Sequence, residues 1–162
     1  MPSGPAAGGP VQRGPVPSSV LTAQKLMFIR AGLGLIGLIV ALATKGSLKT
    51  QIRKNNPDFD AAKLDTAVNV AITFAVVVGL VFLVLYILLA LQVGKGKNWA
   101  RIVTFVLATI GVLGALAGLA QNGTALSKVL ALIGGVLDLA VIILLARGES
   151  SRFFSPKATP IQ

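Results

Sequence analysis

Four apolar blocks, at about 26–43, 68–93, 99–120 and 125–146, take up more than half of this 162-residue chain. A helix rising about 1.5 Å per residue crosses a hydrocarbon core of about 30 Å with roughly 17–25 residues, so each block predicts a spanning helix. Lipid offers no partner to a backbone N–H or C=O. Segments of this length must therefore satisfy their own hydrogen bonds, and helices do so. The expected fold is an all-α membrane protein: a four-helix transmembrane bundle occupying 24–146, with an N-terminal tail over 1–23 and a short basic tail over 147–162. Composition agrees, since 54% of residues are hydrophobic and 12% charged, against about 25% charged in soluble domains.

The connecting segments carry their own signals. Residues 1–19 hold five of the eight prolines and four glycines, with little to bury, which predicts a disordered leader. Residues 44–65 form the one sizeable loop, with five Lys or Arg and three Asp. Within it Asn56-Pro57 marks a turn, and Asp58 or Asp60 is placed to cap a helix beginning near Ala61. Gly94-Lys95-Gly96-Lys97-Asn98 and Gln121-Asn122-Gly123-Thr124 are tight turns, with Thr124 placed to cap the fourth span. Turns this short predict that spans two, three and four are antiparallel neighbours. Ala41-x-Ala43 resembles a signal-peptidase site, but the long polar leader and the spans that follow favour retention. The short leader and tail also predict no fused enzymatic domain.

An even number of spans puts both termini on one side. Arg13, Lys25, Arg30, Lys95, Lys97, Arg101, Arg147, Arg152 and Lys157 fall on that side, against Lys45, Lys49, Arg53, Lys54, Lys63 and Lys128 on the other. The excess predicts cytoplasmic termini, with the loop 44–65 outside. Lys95, Lys97, Trp99 and Arg101 read as interface anchors, and anionic lipid head groups on the cytoplasmic face as their partners. The +10 net charge is dispersed among loops beside the spans, so no nucleic-acid partner is expected.

The chain has no cysteine and no histidine. That removes disulfides, Cys/His metal sites, axial haem ligation through those residues, and thiol or imidazole catalysis. No metal site, no cofactor and no catalytic residue is expected. The basic turn lacks the earlier Gly and the following Ser or Thr of a phosphate-binding loop. Asp58-x-Asp60 is better placed for helix capping than for a metal.

Two charges fall inside spans. Asp138 lies near the middle of the fourth span and Arg30 is the lone charge of the first. An ionised carboxylate at the centre of a span costs about 3 kcal/mol on insertion scales, so it needs a partner, a proton or water. The simplest expectation is an interhelical Arg30–Asp138 ion pair; the sharper one is a proton or cation site at Asp138. Asn69 and Thr73 read as interhelical hydrogen-bond partners. Ala67, Ala71, Ala75 and Gly79 recur at every fourth position of the second span. Gly114 with Gly118, and Ala131 with Gly135, repeat that spacing in the third and fourth spans. Such smooth faces let backbones approach closely, within the monomer or across a homo-oligomer.

The Pro/Gly-rich leader, the segment NPDFDAAKLDTAVNVA and the turn GKGKNWARIVTFVLATIGVL together resemble a group of uncharacterised small four-span membrane proteins of actinobacteria. The resemblance covers most of 20–147 and is most specific over Gly96 to Arg101. It implies a plasma-membrane protein with cytoplasmic termini and carries over no functional residue. The function expected from the whole reading is non-enzymatic: a membrane scaffold or accessory subunit of a larger cell-envelope complex, with a membrane-protein partner or a second copy of itself. The alternative is a small oligomeric transporter or channel using Asp138.

Overall fold

A computed structural model describes residues 14–155. They form six helices: α1 (Ser18–Ala43), α2 (Lys45–Asn55), α3 (Ala61–Gly94), α4 (Asn98–Ala120), α5 (Ala125–Ala146) and α6 (Gly148–Phe154). Among the described residues, α1, α3, α4 and α5 are long and apolar enough to cross a membrane, and the chain is all-α and multi-pass.

The first helix starts well before the apolar block begins. Pro17 has φ −58°, a helical value its ring enforces, and its carbonyl accepts from Val20 N and Leu21 N, both at 3.1 Å. Ser19, Val20 and Ala23 are then buried, Ser19 sharing a 2.8 Å hydrogen bond with Ser150 of α6. Residues 18–23 are therefore ordered helix, correcting their assignment to the disordered tail. Residues 14–17 precede it without regular structure, and the rest of that expectation, 1–13, lies outside the described residues. Within the short basic tail, α6 folds back and buries Ser150, Phe153 and Phe154.

The loop 44–65 is also more ordered than expected. Thr44 ends α1 by turning its hydroxyl onto Val40 O at 2.8 Å, and α2 begins at the next residue. This helix lies against the start of α3, where Lys45 Nζ donates to Asn69 Oδ1 at 2.8 Å and Lys49 Nζ pairs with Asp65. Asn69 is thus bonded to α2 and not to another span. Hydrophobic blocks alone could not reveal α2, since it holds only two large apolar residues, Leu48 and Ile52, both half-buried. Asp60 caps α3 by accepting from Lys63 N at 2.8 Å. At 34 residues, α3 would be about 51 Å long and exceeds a 30 Å core; its first turns, paired with α2, are the part that projects.

At the other end of α3, Lys97 N reaches Gln92 O at 3.1 Å and Gly96 N reaches Val93 O at 2.9 Å, closing a Schellman motif. Gly96 occupies its left-handed position with φ 72°, which a side chain would disfavour. Thr124 caps α5 by accepting from Ser127 N at 3.2 Å.

Around the bundle the order of closest neighbours is α3, α1, α5, α4. The α1·α3, α1·α5 and α4·α5 pairs pack extensively, whereas α3 and α4 meet much less. The tight turn joins them, and the expectation that spans two, three and four are antiparallel neighbours is met strongly by α4 with α5 and only weakly by α3 with α4. The core gathers at the end carrying both termini, where Val20, Ala23, Met27, Leu89, Val93, Leu145 and their neighbours are buried. Large apolar side chains such as Ile39, Phe74, Val84, Ile110 and Val136 face outward, as lipid-contacting positions do.

Arg101 fastens α6 to this end. Its Nε donates to Leu145 O at 3.0 Å, its Nη2 to Ser151 Oγ at 2.7 Å, and its guanidinium stands 5.3 Å from the ring centres of both Phe105 and Phe154. This half-buried side chain turns into the bundle, whereas Lys95, Lys97 and Trp99 are exposed around it. Arg101→Gln is expected to free α6, so that trypsin cuts at Arg147 and Arg152 faster than in the parent. Unchanged cleavage would mean that Phe153 and Phe154 hold α6 without it.

Candidate functional site

Spacing along three helices brings three polar side chains to one level. Arg30 lies 12 residues into α1, Tyr86 eight residues before the end of α3, and Asp138 eight residues before the end of α5. At 1.5 Å per residue, Tyr86 and Asp138 are each about 12 Å from the ends of their helices nearest the termini. Arg30 Nε donates to Asp138 Oδ1 and Oδ2 at 3.2 and 3.1 Å, and Tyr86 Oη donates to Oδ1 at 2.8 Å. The Arg30 guanidinium carbon is also 5.9 Å from the centre of the Tyr86 ring. Asp138 is 0% exposed and the Arg30 side chain 27%. Buried charge is tolerated only when paired and hydrogen-bonded, and the Asp138 carboxylate has both.

Glycines make the room. A Cβ at Gly111 of α4 would collide with Asp138 Oδ2, so α4 can pass the carboxylate only because this residue has no side chain. Gly134, one turn before Asp138, lies beside the guanidinium, where a Cβ would be 3.4 Å from Arg30 Cζ. Tyr86→Phe removes one donor to a charged acceptor and keeps the ring, so it is expected to cost about 1.5–3 kcal/mol in detergent unfolding. A loss well under 1 kcal/mol would show that Arg30 alone satisfies the carboxylate.

The other small residues divide into contacts and open walls. Gly79 packs against Leu38, where an added Cβ would come within 2.6 Å of Leu38 Cδ2. Gly135 meets Ala115 so closely that a Cβ there would stand 2.7 Å from Ala115 Cβ, and Gly118 faces Ala131. Gly114 meets nothing within 4 Å, and Ala75 is exposed. These two, with Ala71, border cavities, and Gly118 and Ala131 line cavities beside their own contact. Ala67 is half-buried near the α2 end of α3.

Three of those cavities adjoin one another through shared lining residues. One of about 460 Å³ opens at the end away from the termini, between α1, α2, α3, the 121–124 turn and α5. A second, of about 330 Å³, shares Gly37, Ala41 and Ala75 with it and ends at Arg30 and Tyr86. A third, of about 250 Å³, reaches Arg30 from the α4 and α5 side, past Gly111 and Gly134. Arg30 and Tyr86 thus form the floor of a cleft, with Asp138 covered behind them, and beyond it the bundle is closed by the buried core.

Of the sequence-level candidates, Arg30 and Asp138 are brought together, while Lys95, Lys97 and Trp99 stand apart near the closed end. Tyr86 and Gly111 were missed. The signal for Tyr86 was available: it is the only tyrosine in the chain, it lies in an apolar span, and it falls seven residues after Gly79, on the same helix face. Gly111 carried none, because it lies outside the Gly114/Gly118 spacing. Among the described residues no group of His, Cys, Asp or Glu could hold a metal ion. Comparison of the chain with protein-family models, with curated proteins and with solved structures found no match.

Proposed function

We propose that this chain is a non-enzymatic integral membrane protein acting as a scaffold or accessory subunit of a larger cell-envelope complex, in the plasma membrane with both termini cytoplasmic. One observation carries the reading: the single fully buried carboxylate among the described residues is closed off by Arg30 and Tyr86. A carboxylate that exchanges protons or cations needs access to them, and this one is spent on holding α1, α3 and α5 together. The apolar exterior and the docked helix α2, with Lys54 and Arg53 exposed, supply surfaces for a membrane-protein partner and for anionic lipid. The actinobacterial resemblance is compatible with this role.

The alternative, a small oligomeric transporter or channel using Asp138, is favoured by the cleft, which leads from the far end of the bundle to the side chain that pairs with Asp138. Affinity purification from native membranes in mild detergent, with partners identified by mass spectrometry and particle mass measured, separates the two. A stoichiometric larger partner is the expected result. A homogeneous homo-oligomer without one would overturn it in favour of transport.

A further inference from the structure

A guanidinium carries five N–H donors in a plane, and here only the Nε edge is used. Among the described residues, Nη1 and Nη2 of Arg30 donate to nothing. They lie between Gly34 and Gly134, where an added Cβ would stand 3.9 Å from Nη1 and 3.6 Å from Nη2, so no side chain from either position covers them. Both cavities that meet at this level are lined by Arg30. Neither nitrogen is buried, so this cationic donor edge is open to an acceptor that enters the cleft.

The rest of the cleft describes the remainder of that acceptor's molecule. Leu38, Phe82 and Leu83 make the walls next to Arg30 apolar, while Ser47, Gln51, Gln121 and Asn122 make the mouth polar and uncharged. Arg30 and Thr44 at the mouth are 14 residues apart on α1, about 21 Å along the axis.

We propose that this cleft binds an amphipathic monocarboxylate, its head group accepting from Nη1 and Nη2 of Arg30 and its hydrocarbon tail extending along the cleft toward the polar mouth. A carboxylate matches the two parallel N–H groups of a guanidinium edge. Asp138 already supplies one negative charge to the same cation, so a singly charged head is better tolerated than a dianionic phosphate. The proposal goes beyond the accessory role and requires no transport.

The test is scintillation-proximity binding of radiolabelled laurate to the full chain in phosphatidylcholine nanodiscs. Saturable binding is expected, with methyl laurate and dodecanol competing at least about tenfold more weakly and acetate not at all. Arg30→Gln with Asp138→Asn removes the cation without leaving a lone buried charge, and binding is expected to fall by at least about tenfold. Ala75→Phe, which touches neither charged residue, is expected to block the tail's path and abolish binding; it decides the matter if the double variant does not fold. Methyl laurate competing as well as laurate, acetate competing equally, or full binding by either folded variant would overturn the proposal.

Discussion

Replacing Arg30 with Gln is expected to destabilise the bundle by about 3–5 kcal/mol, the cost of leaving one partner of a buried ion pair alone. The value should fall toward the lower end, because Arg30 is partly exposed while Asp138 is not. Asp138→Asn leaves the cation behind instead, in a cleft that water can reach, and its loss should be smaller. Combining the two substitutions should recover much of the stability, since a neutral amide pair has no unpaired charge to bury. Thermal unfolding in detergent and abundance in membranes both read this. Single variants as abundant and stable as the parent would sink the idea that the pair fastens α1 to α5.

The second large effect is expected at a residue with no side chain. Gly111→Ala places a methyl group where Asp138 Oδ2 lies. The carboxylate cannot retreat without lengthening its bonds to Arg30 and Tyr86, so α4 must move. Overpacking of this kind typically costs about 1–3 kcal/mol, and disturbing a charged hydrogen bond adds to it, giving about 3 kcal/mol. Gly114→Ala three residues later, where nothing stands within 4 Å, is the matched control and should be nearly neutral. Equal effects at the two positions would mean that helix propensity, not the carboxylate, decides.

How far the sequence could be read depended on how local each cause was. Spans, turns and caps follow from short windows: apolar runs set α3, α4 and α5, and Asp60 and Thr124 cap where local chemistry puts them. Helix α2 was missed because it is polar, and what holds it is Lys45 and Lys49 reaching residues on α3, 24 and 16 positions away. The early start of α1 depends on Ser150, 131 residues distant. Arg30 and Asp138 stood out because charge in a hydrocarbon span demands a partner, yet that rule says nothing about which helix faces meet. Tyr86 and Gly111 are invisible until those faces are known. The open cleft was equally illegible, since small residues at fourfold spacing encode close packing and empty space alike.

The 108 residues separating Arg30 from Asp138 also set a schedule for biogenesis. At about 5–20 residues per second, the ribosome releases the carboxylate roughly 5–20 s after the arginine. For that interval α1 must be carried at the membrane with its charge unmatched, a burden eased by the position of Arg30 near one end of its apolar block, where a long side chain can reach the interface. The first helix to emerge therefore packs on α3 before its charge is matched. Its charge is matched only when α5 arrives, so a chain truncated before α5 is expected to be less abundant in membranes than the parent.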